Sequence, residues 1–332
     1  MEALQTKEAR LTRALDKIET LIQHNEAGAD TWLPLEYELN LTYGDDISNM
    51  SEYTRRLRDL VRQESERIIS EKPLGDKECG STGSHSALDD ETFEKIKALR
   101  RELHKIPELS GQERRTMEVL KMFLREHTSL SVTDRGGWFY ALHQENGAEE
   151  TVVFRADMDA IKGPGNIPYH GCGHDGHSAI LAGLCLLTEG RVFQKNLCFL
   201  FQPAEETGEG GNPCSRLLEE LGADRVYGFH NLPGYPLGTA VMRRETFSCD
   251  TVNTPEITDM SRMLFEQEGI PCLEAAPFRW SEDFGGYLKK CQGMYFGIGA
   301  GEDCPDLHTP DYEFPDEVIR NAVRCLYLLA EI

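Results

Sequence analysis

The sequence is poor in basic residues, and this shortage excludes several classes of partner. Its 332 residues include 35 Lys and Arg against 57 Asp and Glu, which gives a formal net charge of −22 at pH 7. A nucleic-acid backbone or an anionic membrane would repel such a chain unless it carried a dense basic face. We therefore expect neither nucleic acid nor membrane among its partners.

Long apolar runs are missing as well. No stretch approaches the roughly 18–20 apolar residues that span a bilayer, and the N-terminal MEALQTKEARLTRALDKIETL lacks the apolar core of a signal peptide. The ten cysteines are scattered along the chain. Cys185, Cys198 and Cys325 stand inside apolar runs, where cysteine usually behaves as a small buried hydrophobe. These features predict a cytoplasmic protein with mostly reduced thiols.

What the sequence does contain divides it into two parts. Two N-terminal stretches have helical periodicity, and Ser51 is a candidate N-cap for the second, which runs to residue 71. Residues 76–86, DKECGSTGSHS, have the composition of a linker. The predicted organisation is a helical segment with its linker over residues 1–80, and a larger α/β domain over residues 86–332.

Beyond the linker, strands alternate with helices. Four apolar runs, at residues 150–154, 196–201, 225–229 and 294–299, each lead into a polar, glycine-rich turn. This order predicts an open α/β sheet, mixed but mostly parallel and flanked by helices. In such a sheet the ligand site lies outside the carboxyl ends of the strands.

Potential metal ligands follow these strands. The stretch YHGCGHDGHSA at residues 169–179 places a cysteine and a histidine just before a predicted helix, and acidic or histidine side chains follow three strands. Each is a weak signal alone, but in this fold all would converge on one rim. A thiolate with imidazoles suits zinc, and carboxylates also admit manganese or other first-row ions. The candidates for two ions sharing ligands are Cys172, His174, Glu205, Glu206, His230 and His308.

Neighbouring residues have complementary tasks in such a site. Asp157, Asp159 and Asp175 are placed to orient the histidines. Of two adjacent glutamates, one can bind metal while the other stays free as the base that deprotonates a metal-activated water, and the spacing does not assign the order. In a competing interpretation, Cys172 is a thiol nucleophile activated at a helix N-terminus. That mechanism gives the glutamates and the later histidines no task.

Seven ordered motifs resemble peptidase family M20, in particular its amidohydrolase branch of hippurate, N-acyl-amino-acid and auxin-conjugate hydrolases. The motifs are RRELHKIPELSGQERRT, VVFRADMDAI, GCGHDGHSAILAG, FLFQPAEETGEGG, VYGFHNLPG, SEDFGGYL and LHTPDYEFPDEVI, and they cover most of residues 95–332. The resemblance implies the catalytic fold of di-metal aminopeptidases. It also implies a metal-dependent hydrolase that cleaves an amide bond in a small N-acyl amino acid or peptide-like substrate, with two divalent ions, zinc or manganese.

Carried over residue by residue, the resemblance assigns roles. It makes Glu205 the general acid and base, and Asp159 the aspartate that supports the metal site. The glycine at position 171 replaces the family's common alanine. The implied metal ligands are Cys172, His174, Glu206, His230 and His308.

The sequence departs from the family at the lid. Ordinary members insert a lid or dimerisation domain whose G-G-H histidine helps to stabilise the oxyanion. Here only about thirty residues join Phe247 to Ser281, too few for a domain, and they contain no such motif. We therefore expect a lid-less catalytic domain, either a monomer or a homodimer through another surface. Candidates to replace the lid histidine are the N-terminal segment, His170, His177 and Arg279. The two histidines are better suited to brace the loop at residues 169–179, which we call the metal loop.

Two other functions stay open. A lid-less site could form or rearrange an amide, as a cyclase or a tailoring enzyme does in biosynthesis. A degenerate family member could instead serve as a non-catalytic metal-binding module, although every implied ligand and the candidate base are present in this chain.

Overall fold

The chain forms two compact units, Met1–Gly83 and Ser84–Ile332. A computed structural model describes residues 7–27, 41, 51–71 and 88–332. The linker expected at residues 76–86 lies outside the described residues, so the domain boundaries stay a prediction. None of the helices in the described ranges is long and apolar enough to cross a bilayer.

In its described residues, the first unit contains the helices α1 (Lys7–Ala27) and α2 (Glu52–Glu71), as predicted from periodicity. They pack through a small apolar cluster of Ile18, Leu21 and Val61. Ser51 caps α2, because its hydroxyl accepts a hydrogen bond of 3.1 Å from the amide of Thr54.

An eight-stranded sheet organises the second unit, in the order β1-β2-β6-β3-β7-β10-β8-β9. The central strands β6, β3, β7 and β10 are parallel to one another. Antiparallel pairings attach β1 to β2, β2 to β6 and β8 to β10, and β9 lies parallel to β8. The predicted mixed, mostly parallel sheet is confirmed. Its strands are β1 (Ser131–Asp134), β2 (Phe139–His143), β3 (Thr151–Asp157), β6 (Asn196–Gln202), β7 (Arg225–Pro233), β8 (Ala240–Met242), β9 (Cys272–Glu274) and β10 (Gln292–Gly301), while β4 (Ile161–Lys162) and β5 (Pro168–Tyr169) form a separate hairpin.

Helices flank this sheet, and α5 is the most deeply buried of them. Its apolar residues lie all around the helix, which is typical of a helix surrounded by protein, and it packs against α3, α4, α10 and β3. Gly183 allows the close approach, because a Cβ atom there would lie 2.5 Å from the Ile96 side chain. The helices are α3 (Asp90–His104), α4 (Arg114–His127), α5 (His174–Thr188), α6 (Gly211–Cys214), α7 (Arg216–Leu221), α8 (Pro255–Gln267), α9 (Gly285–Leu288) and α10 (Val318–Glu331).

Two central strands run further than their apolar runs predicted. β3 continues to Asp157, because the residues after Phe154 keep pairing with β6 and their charges are neutralised inside the protein. The Arg155 guanidinium donates to the Asp157 carboxylate over 2.6 Å, and both side chains are fully buried. β7 continues to Pro233 in register with β10, so that His230 lies within the strand rather than after it.

No separate domain interrupts the second unit between β8 and α9, a stretch in which every residue is described. The chain there forms α8 and β9, which extend the sheet and cover part of it: β9 pairs with β8, and α8 packs against β10. This path agrees with the lid-less domain expected from the sequence, which stays a prediction.

Candidate metal centre

Five potential ligands from four regions of the chain meet at one end of the sheet. The donor atoms of Cys172, His174 and His230 lie within 4.8 Å of one another, and so do those of Cys172, Glu206 and His308. Cys172 Sγ is 3.5 Å from His230 Nε2 and 3.3 Å from His308 Nε2. The two groups share Cys172, which places them side by side.

These separations suit donors arranged around a metal ion. Bonds of about 2.0–2.3 Å at tetrahedral angles put the donor atoms about 3.3–3.8 Å apart. His174 Nε2 and Glu206 Oε1 are buried without a hydrogen-bond partner, and they lie 3.8 Å from each other. Since buried polar atoms are nearly always paired, these two atoms are suited to a cation between them.

The loops that carry these ligands are held in unusual backbone conformations. Ala204, just before the paired glutamates, has φ +52°, and its amide donates to the buried Glu113 carboxylate over 2.8 Å. His308 has φ +65°, and its amide donates to the Gly171 carbonyl over 2.7 Å. Non-glycine residues rarely adopt positive φ unless the surroundings enforce it, and such strain concentrates at functional sites.

A steric contact explains why position 171 is a glycine. A Cβ atom there would lie 2.4 Å from the Tyr169 ring, closer than real Cβ atoms come to a neighbour. Alanine, common in the family at this position, is therefore incompatible with the Tyr169 rotamer seen here.

Asp159 connects two of the ligands. Its Oδ1 atom is 3.1 Å from His174 Nδ1, which leaves the other imidazole nitrogen free to face the centre. Its Oδ2 atom accepts hydrogen bonds from the Glu206 amide at 3.0 Å and from the Ser110 hydroxyl at 2.7 Å. A carboxylate behind a ligand histidine fixes the orientation and tautomer of the ring.

Asp157 begins a second buried chain of polar contacts. One of its oxygens is 2.6 Å from His177 Nδ1, and His177 Nε2 is 2.6 Å from Asn231 Oδ1. The Asn231 amide group donates to the Tyr312 hydroxyl over 2.6 Å. Burial alone would raise the pKa of Asp157, but the charges of His174, Arg155 and His177 hold it well below its usual value. Asn231 and Tyr312 were not singled out from the sequence, although both belong to quoted motifs.

The remaining acidic and histidine side chains of the metal loop face away from the donors. Asp175 lies 2.8 Å from His104 Nδ1 and 3.5 Å from the buried Arg100 guanidinium. His170 is buried beside His104, at 6.0 Å between ring centroids. Asp175 thus orients His104 rather than a candidate ligand.

A cavity of about 390 Å³ opens at the candidate centre. Cys172, Glu206, His230 and His308 line it, together with Glu205. Three single residues were candidates to replace the lid histidine, and none of them lines this cavity. His170 and His177 are buried elsewhere, and Arg279 is exposed.

Glu205 lines the cavity outside the two donor groups that share Cys172, and its own carboxylate forms a further group with His174 and Glu206. Its Oε2 lies 3.9 Å from His174 Nε2. Burial, with the nearby Glu282 carboxylate adding to it, raises the pKa of Glu205 to about 10. Glu282 also lines the cavity, and sequence reasoning gave it no role although it belongs to the SEDF motif.

The family model described as peptidase family M20/M25/M40 matches residues 153–332, more than half of the chain. The chain belongs to peptidase family M20/M25/M40. The matched region holds the five potential ligands together with Glu205 and Asp159.

Curated relatives of this M20 chain include N-acetyldiaminopimelate deacetylases. The protein of that name from Listeria monocytogenes is 34% identical over 162 residues, which are 44% of this chain and 43% of the relative. That from Geobacillus thermodenitrificans is 31% identical over 175 residues, which are 48% and 46% of the two chains. The chain thus spans less than half the length of the curated relatives it matches.

Solved structures of similar fold include the Bacillus subtilis YXEP protein, described as a dinuclear metal-binding peptidase from the M20 family. It superposes with a TM-score of 0.66 at 18% identity, over 73% of this chain and 98% of that one. The Legionella pneumophila LapA aminopeptidase superposes with a TM-score of 0.58 at 14% identity, over 72% of each chain. At these identities the likeness concerns the fold.

Proposed function

We propose that this chain is a metal-dependent hydrolase that cleaves the amide bond of a small N-acyl amino acid or peptide-like substrate. The observation that carries the proposal is the pair of three-donor groups sharing Cys172, beside a carboxylate outside both groups, in one cavity. The N-acetyldiaminopimelate deacetylases among the relatives bear names that describe cleavage of an N-acyl amide.

In this proposal Cys172, His174, Glu206, His230 and His308 hold two divalent ions, zinc or manganese, with the cysteine sulfur common to both groups. When bound, the ions would lower the pKa of a water molecule and polarise the substrate carbonyl. The mixture of thiolate, imidazole and carboxylate donors suits either metal.

Glu205 serves as the base in this proposal. Burial favours its protonated form, but two cations held beside it would favour the carboxylate, which can accept a proton. It takes a proton from the attacking water, and it returns that proton to the amine nitrogen as the C–N bond breaks. Glu206 is the ligand of the pair, because its Oε1 lies 3.4 Å from His308 Nε2 and 3.8 Å from His174 Nε2. Asp159 positions His174 and Glu206, as described above.

The same contacts disfavour a thiol nucleophile. Two imidazole nitrogens, from His230 in β7 and from His308 in the turn after β10, approach Cys172 within 3.5 Å, whereas a thiol nucleophile needs one base. The sulfur is also buried between the two donor groups. We infer that Cys172 is a ligand. A cytoplasmic location stays an expectation, based on the unpaired thiols.

The test is the Glu205→Gln variant. We expect it to lose at least about a thousandfold in kcat toward N-acyl amino acid derivatives while keeping about two divalent ions per chain, because the base is lost and the ligands are not. Metal content by plasma emission spectrometry and rates by amine release measure the two quantities. Chelation that leaves activity intact would contradict the mechanism, as would a fully active variant.

A further inference from the structure

The cavity over the candidate metal centre combines aromatic side chains with carboxylates. Tyr235, Phe278 and Trp280, which we call the aromatic wall, line one part of it. Within the described part of the chain, no Lys or Arg lines the cavity. The composition of the lining therefore bears on which substrates fit.

The aromatic wall is preformed, and two of its members, Phe278 and Trp280, lie in the stretch in which the family resemblance implies a lid in other members. The rings of Phe278 and Trp280 stack at 4.4 Å with an interplanar angle of 14°. The Phe278 amide donates to the Phe247 carbonyl over 2.8 Å, and the two rings lie 4.9 Å apart. The wall also packs on the buried Leu232, Val241 and Ala275. A wall held in this way does not have to be ordered when a substrate binds.

A flat apolar surface of this kind favours a matching group on the substrate. Aromatic rings prefer offset-stacked or edge-to-face partners, and the cavity volume of about 390 Å³ is that of a small-molecule site. An aromatic or branched apolar group would therefore gain more from the wall than a methyl group.

Apart from the candidate ligands and the cations that they would hold, the lining of the cavity offers no positive charge to an anionic group. Glu282 accepts a hydrogen bond of 2.6 Å from Tyr295 and lies 3.5 Å from Arg155, so the protein itself balances its charge. Asp306 lines the cavity and is exposed, which leaves its carboxylate to face whatever enters. Proteins usually hold a substrate carboxylate with Arg or Lys. Arg279 is exposed and lies outside the lining.

We propose that this cavity selects amides that place an aromatic or branched apolar group on the aromatic wall and carry no negative charge beside Asp306. The inference rests on the proposed hydrolytic function and narrows its substrate class. N-acyl amino acid amides, uncharged or cationic, are preferred to the corresponding free acids.

The experiment compares four ligands: N-acetylphenylalaninamide, N-acetylphenylalanine, N-acetylalaninamide and N-acetylalanine. Binding is measured by calorimetry on the zinc-loaded Glu205→Gln variant, and kcat/KM is measured on the zinc-loaded wild type. We expect each amide to bind about tenfold or more tightly than its free acid, and each phenylalanine derivative about 10–100-fold more tightly than its alanine counterpart.

Two variants in the Glu205→Gln background assign the preferences to residues. Trp280→Ala, or Trp280→Leu should the first fail to fold, is expected to remove most of the aromatic preference and leave the amide preference. Asp306→Lys is expected to raise the affinity for the free acids at least tenfold relative to the amides. Asp303→Lys is the matched control, because Asp303 is exposed and outside this cavity, and it changes net charge equally.

The outcomes separate the inference from the proposed function. If wild type hydrolyses none of the ligands but the binding preferences hold, the function is wrong and the inference stands. If hydrolysis proceeds with free acids equal to or better than amides, the function stands and the inference is overturned. A free-acid preference that Arg279→Ala abolishes would identify Arg279 as the carboxylate anchor instead.

Discussion

At the scale of single residues, the site depends on side chains that serve two partners at once. Asp159 accepts from three donors, and through them it fixes the His174 ring, the backbone of Glu206 and the Ser110 hydroxyl. Such a residue couples two candidate ligands, one from the start of α5 and one from the turn after β6. Its contribution is therefore to the geometry of the centre rather than to any reacting atom.

Asp159→Asn is expected to weaken metal binding about 10–100-fold. An amide group in this place offers one acceptor oxygen where the carboxylate offers two, so one of the three donors loses its partner. Competition with a chromophoric chelator measures the affinity, and Asp303→Asn at an exposed position is the control. Unchanged affinity would show that His174 does not need this orientation.

The order of the two glutamates illustrates what the sequence could supply at this scale. Adjacent residues cannot be told apart by spacing, and only the resemblance assigned Glu205 and Glu206. Both glutamates approach His174, Glu206 at 3.8 Å and Glu205 at 3.9 Å, and Glu206 also approaches His308. The contact with His308 favours Glu206 as the ligand, and the two roles stay a proposal. Asn231 and Tyr312 could not be assigned, because neither type is a usual zinc ligand. Their contacts, from His177 to Asn231 and from Asn231 to Tyr312, join residues far apart in the sequence.

At the scale of elements, α5 carries the metal loop on a helix with little room around it. Gly176 lies two residues after His174, and a Cβ atom there would meet the buried Phe314 ring at 2.3 Å. An aromatic ring packed among buried neighbours cannot rotate away as the end of a flexible chain would. The helix is thus fitted to its surroundings next to the candidate ligands.

Gly176→Ala is expected to lower the free energy of unfolding by about 1–3 kcal/mol, because overpacking displaces Phe314 or the helix. Urea unfolding followed by circular dichroism measures the change. Gly137→Ala is the matched control, since a Cβ atom there would meet nothing within 4 Å. Equal stabilities for the two variants would contradict the packing argument.

Element positions were largely predictable, and the element ends were not. The apolar runs at residues 150–154 and 225–229 located β3 and β7. The sequence could not show that Arg155 and Asp157 stay inside β3, because burial of a charge depends on a partner that only the fold supplies.

At the scale of the whole molecule, the candidate chemistry lies entirely in one unit. Each lining residue of the cavity belongs to Ser84–Ile332. The convergence of the ligands was predictable, because strand ends of a parallel sheet meet at one rim. The aromatic wall was not predictable from the sequence, because the positions of Phe278 and Trp280 depend on the path that residues 243–281 take across the end of the sheet.

The fragment of residues 84–332 is expected to fold alone and to keep its metal content and at least about half of the full chain's kcat, because the sheet and its helices form a core without the first unit. Thermal unfolding, metal analysis and rates on the same substrate check this. If the fragment folds and binds metal but loses activity, the N-terminal segment is the part of the chain that replaces the lid histidine.

The distance along the chain between the ligands governs when the metal centre can form. Cys172 and His308 are 136 residues apart and meet only because β6, β7 and β10 have paired between them. During synthesis, the emerging YHGCGHDGHSA segment can offer an ion no more than a weak, partial set of donors. In the proposed metal centre, ion capture would therefore wait until β10 and the loop after it have left the ribosome, which would make ion loading a late and largely post-folding event.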